Sequence, residues 1–154
     1  MIEVSFVNSL EQFLEHTQII TLLQDQMHYI GSPKKNEELV KTIKLAFKSD
    51  NAYLMVLSDS GHIIGFAFYN VCIGMESAGK YLWLNEMHIH KDYRNQGFGK
   101  ILYDKLIEWC KENNILRLMG IADEKEDRTI SFYRKQGAEI TKQQIISYAI
   151  EKET

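Results

Sequence analysis

Cysteine is scarce in this chain of 154 residues: only Cys72 and Cys110 are present. Each lies in an apolar run, so two buried thiols in a reducing cytosol are expected rather than a disulfide. No apolar stretch approaches the ~20 residues of a membrane-spanning helix, so a membrane is not expected as a partner. Basic residues are not in excess: the formal net charge is −3. A main partnership with nucleic acid, which calls for a basic surface, is thereby disfavoured. The first residues, Met1-Ile2-Glu3-Val4-Ser5, lack the basic start and apolar core of a secretory signal, and the expected compartment is the cytoplasm. Repeats, linkers and low-complexity tracts are also missing, so residues 1–154 are expected to form a single domain.

What is present is ordinary for a globular protein, with 45% hydrophobic and 25% charged residues. Ile2–Val7 alternates like a strand. Ser9 with Gln12 has the form of a capping box, and the helical stripe Leu10, Phe13, Leu14, Thr17, Ile20 runs on to about Met27. Gly31 ends that helix, and Ser32-Pro33 opens another whose buried stripe is Leu39, Val40, Ile43, Ala46 and Phe47. Strands are expected at 52–57 and 62–73 around the turn Asp59-Ser60-Gly61. After a loop at 74–80, a strand spans 81–90 and a helix 99–112. A central apolar strand follows at 115–122, then the acidic loop Asp123–Asp127. A short helix at 129–136 closes on Gly137, and strands at 138–141 and 145–150 complete the chain.

One stretch concentrates the chemistry: Leu82 to Lys100, LWLNEMHIHKDYRNQGFGK. A strand passes through a polar turn into Arg94-x-x-Gly97-x-Gly99 at the mouth of an amphipathic helix. Free amides and the dipole at a helix start attract anions, and glycine lets a phosphate approach the backbone. A Walker loop would need Gly at Arg94 and Ser or Thr at Ile101. A dinucleotide fingerprint would need a third glycine at Leu102.

The loop instead resembles the acetyl-CoA loop of the GNAT acetyltransferases, (Arg/Gln)-x-x-Gly-x-(Gly/Ala). A second string, Ile130-Ser131-Phe132-Tyr133-Arg134-Lys135-Gln136-Gly137-Ala138, looks like the family's tyrosine-bearing helix. The element order is similar to the GNAT fold from end to end. Gly65–Tyr69 and Phe132–Ala138 look somewhat like the diamine (polyamine) acetyltransferases. The resemblance implies an α+β fold, with a mixed, mostly antiparallel sheet flanked by about four helices. It implies acetyl-CoA as cofactor, bound by Arg94, Asn95, Gln96, Gly97, Phe98, Gly99 and Lys100. It also implies that the backbone of Met87, His88 and Ile89 pairs with the pantetheine arm where the strand splays from its neighbour.

The reaction implied is direct attack of an amine on the thioester in a ternary complex, so neither cysteine needs a catalytic role. Glu86, eight residues before Arg94, is the candidate base, and a solvated strand carboxylate is the plain alternative. Many relatives carry the acid one position earlier, at Asn85. His88 and His90 share a face with Glu86 if the alternation is regular. His88 could be a relay, but two ordinary strand histidines is the favoured reading, and with no third ligand nearby no metal is expected. Tyr133 is the candidate general acid, with Phe132 turned to the core. Where relatives often have Asn, seven residues before the tyrosine, this chain has Glu126. The acceptor is expected near His28, Tyr29 and Tyr69. A small-molecule amine is favoured over a protein N-terminus or lysine. The alternative from another class is a non-catalytic CoA-binding regulatory module, and the family leaves room for a homodimer.

Overall fold

A computed structural model describes residues 1–150 of the chain. They fall into two compact units, the larger being Met1–Ile121 and the smaller beginning at Ala122.

The larger unit is built on a five-stranded sheet in sequential order: β1 (Ile2–Val7), β2 (Ala52–Asp59), β3 (His62–Gly74), β4 (Gly79–Ile89) and β5 (Arg117–Gly120). The first four strands pair antiparallel, and only β4 with β5 is parallel. A parallel neighbour needs a crossover, which α4 (Phe98–Glu112) supplies. The β2–β3 hairpin closes on Ser60 and Gly61 with φ of 52° and 84°, the two positive values of a type I′ turn.

Alternation sends the two faces of the sheet to different helices. Leu54, Val56, Ile63 and Phe66 form one core with Phe13, Ile19, Leu22, Leu23, Leu39 and Ile43. Those helical residues come from α1 (Leu10–Glu15), α2 (Thr17–Tyr29) and α3 (Asn36–Phe47). On the other face Tyr53 and Tyr69, paired across the strands, pack with Trp109 of α4 at ring separations of 4.9 and 5.1 Å.

The smaller unit holds α5 (Asp127–Lys135), which ends at Gly137 with φ of 90°. With it the described residues contain five α-helices, against the four or so expected, and no helix among them is long and apolar enough to cross a membrane.

Four expectations from the sequence are corrected. The helix expected from Leu10 to about Met27 is two helices broken at His16, whose φ of −108° and ψ of 79° are not helical. Periodicity reports the buried face, and that face is continuous through Phe13, Ile19 and Leu22, whereas the backbone is not. The next helix starts at Asn36, not at Ser32-Pro33. The Ser32 hydroxyl takes the Lys34 ammonium at 2.7 Å, while the Glu38 carboxylate accepts the Lys35 N–H at 2.8 Å and caps the later start. The strand expected as central at 115–122 is a four-residue strand at the end of the sheet, with Leu116 and Ile121 exposed on its flanks. Residues 138–141 and 145–150 form no strand, and Ile146 and Tyr148 are largely exposed. An alternating apolar pattern is only a propensity, and a strand exists where a partner completes its ladder.

Candidate active site

The site begins with an irregularity in β4. Phe68 of β3 pairs with Glu86, whereas the next residue, Tyr69, pairs with Leu84. Asn85 is therefore the extra residue of a β-bulge, and its side chain donates to the Asn70 amide oxygen at 2.6 Å. Past the bulge, Glu86 and His88 pair with Phe68 and Phe66 and share their face, the side covered by α2. Asn85 is exposed, so of the two neighbours it is Glu86 that joins His88 on that face. The Glu86 carboxyl is half-buried, and burial raises its pKa above the ordinary glutamate range.

His88 is buried, at 6% exposure, with its ring centroid 6.1 Å from that of Phe66. Its pKa is lowered to about 4, first by burial and then by the Arg94 guanidinium, with His90 adding to the effect and Asp25 of α2 opposing it. The imidazole is therefore neutral at pH 7. Its Nε2 is buried and has no hydrogen-bond partner among the described residues.

Beyond Leu84 the strand loses a neighbour. β5 pairs with β4 only from Tyr81 to Leu84. The His90 N–H donates to the Ile64 carbonyl on the β3 side at 2.8 Å. By the two-residue period, the backbone groups of Ile89 and Met87 face the opposite side, which β5 has left. The gap expected from the sequence is thus a property of the strand pairing.

β4 runs through a 3₁₀ turn, Lys91–Tyr93, into the glycine-rich loop. The Gln96 amide donates to the Asp92 carbonyl at 3.1 Å and braces the loop. Asn95 and Gly97 take left-handed φ of 61° and 86°. Gly97 caps α4 without any side-chain hydrogen bond, so the amides of Phe98, Gly99 and Lys100 open the helix uncapped. A Cβ built on Gly97 would meet nothing within 4 Å, so the space beside the cap residue is open. Free amides, the positive helix end and open space suit a pyrophosphate. Lys100 is paired with Asp104 at 2.5 Å, and Arg94 donates through Nε to the Ile89 carbonyl at 3.0 Å.

The acceptor candidates separate. His28 and Tyr29 are exposed in the last turn of α2, and the Arg94 guanidinium lies 5.8 Å from the centre of the Tyr29 ring. Tyr69 does not join them. It is fully buried on the α4 face, stacked on Tyr53, and the Glu86 and His88 side chains lie on the other side of the sheet. Cys110 is buried there as well, with its thiol pKa raised to about 11, which keeps it protonated, while Cys72 is only half-buried. Asp25 was not anticipated. Its spacing of four from Tyr29 on α2 is the sequence signal that places both on one helix face. Tyr133 lies on α5 in the smaller unit, half-buried like Phe132, so burial does not distinguish the two rings.

A mixed sheet whose bulged fourth strand leads into an uncapped, glycine-opened helix defines a protein with an anion-compatible helix start at the end of its sheet. The model of the Acetyltransferase (GNAT) family matches residues 16–138, and the chain belongs to that family, whose acyl donor is acetyl-CoA. Streptothricin acetyltransferase A of Bacillus subtilis is 30% identical over 95 residues, 58% of this chain and 54% of that protein. The chain thus matches about half the length of this curated relative. Among solved structures, an aminoglycoside acetyltransferase from an uncultured soil metagenomic sample, in complex with sisomicin, has a TM-score of 0.76 at 20% identity. It covers 98% of this chain and 97% of its own. Aminoglycoside N-acetyltransferase AAC(6')-Iy in complex with CoA has a TM-score of 0.78 at 15% identity, over 97% and 95%.

Proposed function

We propose that the protein is an acetyl-CoA-dependent N-acetyltransferase acting on a small-molecule primary amine by direct attack. One observation carries the reading. The bulge at Asn85 puts a half-buried carboxylate and a neutral imidazole on one face of the strand that runs, with its far edge open, into the uncapped start of α4. A carboxyl with a raised pKa holds a proton more readily and is the better base for a departing ammonium proton.

In this reading the backbone from Arg94 to Lys100 holds the pyrophosphate, and the edge of Met87–Ile89 pairs with the pantetheine arm. Bound acetyl-CoA supplies an activated thioester, whose carbonyl is electrophilic. Glu86 takes the proton of the amine, directly or through water. His88 stays neutral beside it on the same face. Tyr133 donates a proton to the departing sulfur. His28 and Tyr29 border the acceptor. A small cationic acceptor is supported by the relatives, which act on streptothricin or aminoglycosides by name. A single-domain reading of the chain and a cytoplasmic location belong to the same proposal.

The test is thiol release from acetyl-CoA across a panel of aminoglycosides, streptothricin, polyamines, amino acids and short peptides, compared on kcat/KM. A small polycation is expected to lead. If peptides lead, the acceptor is a protein amine. Binding of CoA without turnover on any amine would favour a regulatory module.

A further inference from the structure

Asp92 sits in the 3₁₀ turn between β4 and the glycine-rich loop, and side chains hold both of its backbone polar groups. Its N–H donates to Nδ1 of the His90 imidazole at 3.1 Å. Its carbonyl accepts from the side-chain amide of Gln96, inside the loop, at 3.1 Å. A backbone N–H can only donate, so Nδ1 is the unprotonated, accepting nitrogen of the His90 ring. The Asp92 carboxylate lies further from that nitrogen, at 3.8 Å. We propose that His90 is a positioning residue for the cofactor loop, which it braces to the end of β4 through the backbone of Asp92 and the Gln96 amide.

The inference rests on reading the backbone of residues 94–100 as the pyrophosphate site. His90 is itself fixed to the sheet, because its N–H donates to the Ile64 carbonyl of β3 at 2.8 Å. Its carbonyl accepts the Tyr93 N–H at 2.9 Å, and its ring stands edge-on to the Tyr93 ring at 5.8 Å. The imidazole reaches the N–H two residues on, which is the bond an asparagine or aspartate makes in an Asx turn. Nδ1 of histidine and Oδ1 of asparagine are both attached directly to Cγ, so the two side chains present an acceptor at the same place. The brace spans Asn95, which takes a left-handed φ of 61°, a region that residues other than glycine enter rarely. Holding this stretch in place before the cofactor arrives removes an ordering cost from binding.

Calorimetry of CoA binding across His90 variants tests this, with thermal unfolding to show that each is folded. His90→Phe keeps a ring against Tyr93 and removes the acceptor. It should bind CoA about 5-fold more weakly, the typical effect of a lost side-chain cap. His90→Gln carries its acceptor one bond too far and should match it. His90→Asn gives up the ring but restores the acceptor, and should bind within about 2-fold of the wild type. Gln96→Ala should weaken binding too. Adding it to His90→Phe should cost less than the product of the separate losses, because both act on Asp92. Wild-type affinity in His90→Phe, a loss in His90→Asn as large as in His90→Phe, or full multiplication of the two losses overturns the brace and leaves the proposed function standing. Absence of CoA binding in the wild type would overturn both.

Discussion

Glu86 and Tyr133 are the two residues on which turnover should depend most. Glu86→Gln keeps the shape and removes the basicity. The expected result is a loss on the order of 10-fold in kcat/KM, modest for a base because solvent can replace it in an open cleft. Any acid limb of the pH–rate profile that belongs to the glutamate should vanish with it. Because burial raises the carboxyl pKa, that limb should lie above the ordinary glutamate range. Asn85→Ala is the control. It removes an exposed side chain bonded to Asn70 and should cost about 1 kcal/mol of stability with little change in rate. A damaging Asn85→Ala beside a silent Glu86→Gln would mean that the catalytic strand face is not that of Glu86, and His88 would be the next residue to mutate. Tyr133→Phe should lower kcat by roughly 10²–10⁴-fold while CoA affinity stays nearly constant, since the hydroxyl acts mainly in the transition state. A Phe variant with wild-type kcat in a chemistry-limited assay would make Tyr133 a packing residue.

The start of α4 is the element on which cofactor binding is proposed to depend. Its amides are uncapped, and a Cβ at Gly97 would meet nothing within 4 Å. Gly99 does not have a positive φ, so a side chain there meets no backbone strain. Gly99→Val should leave the fold largely intact and abolish CoA binding in calorimetry, and unchanged affinity in a folded variant would exclude this loop as the pyrophosphate site. The elements show what was legible in the sequence and why. The loop was readable because its chemistry is local: glycine at two positions and an amphipathic stripe next to it. The bulge was not, because it is defined by the β3 residues opposite, and so the choice between Asn85 and Glu86 had to wait for the pairing. Tyr69 was misplaced for the same reason. Its sequence neighbours do not reveal that Trp109, forty residues on, covers it.

Buried titratable groups make the stability of the whole molecule depend on pH. His88 has a folded pKa of about 4 against 6.5 for the free side chain, so between these values the unfolded chain binds more protons. Stability should fall as pH drops from 6.5 toward 4, by roughly 3 kcal/mol at most. Glu86 acts in the opposite sense. Its folded pKa is raised, so its contribution is present below the unfolded pKa and is lost as pH rises through the folded one. Thermal unfolding followed from pH 7 to 4 should show a slope that His88→Gln flattens and Glu86→Gln steepens. An unchanged slope in His88→Gln would mean that the imidazole titrates normally.

The sequence by itself determined what short-range chemistry can encode: most of the order of the elements through α5, with α1 and α2 read as one helix, the turn of the β2–β3 hairpin, the glycine-opened helix start and the family. Tertiary structure decided what depends on residues far apart in the chain. It set the face of Glu86 through the bulge opposite Phe68 and Tyr69, lowered the His88 pKa through burial and Arg94, and brought the Arg94 side chain to Tyr29 and Ile89. Pattern and propensity act over a few neighbouring residues, whereas register, burial and charge proximity exist only once distant strands and helices are packed together.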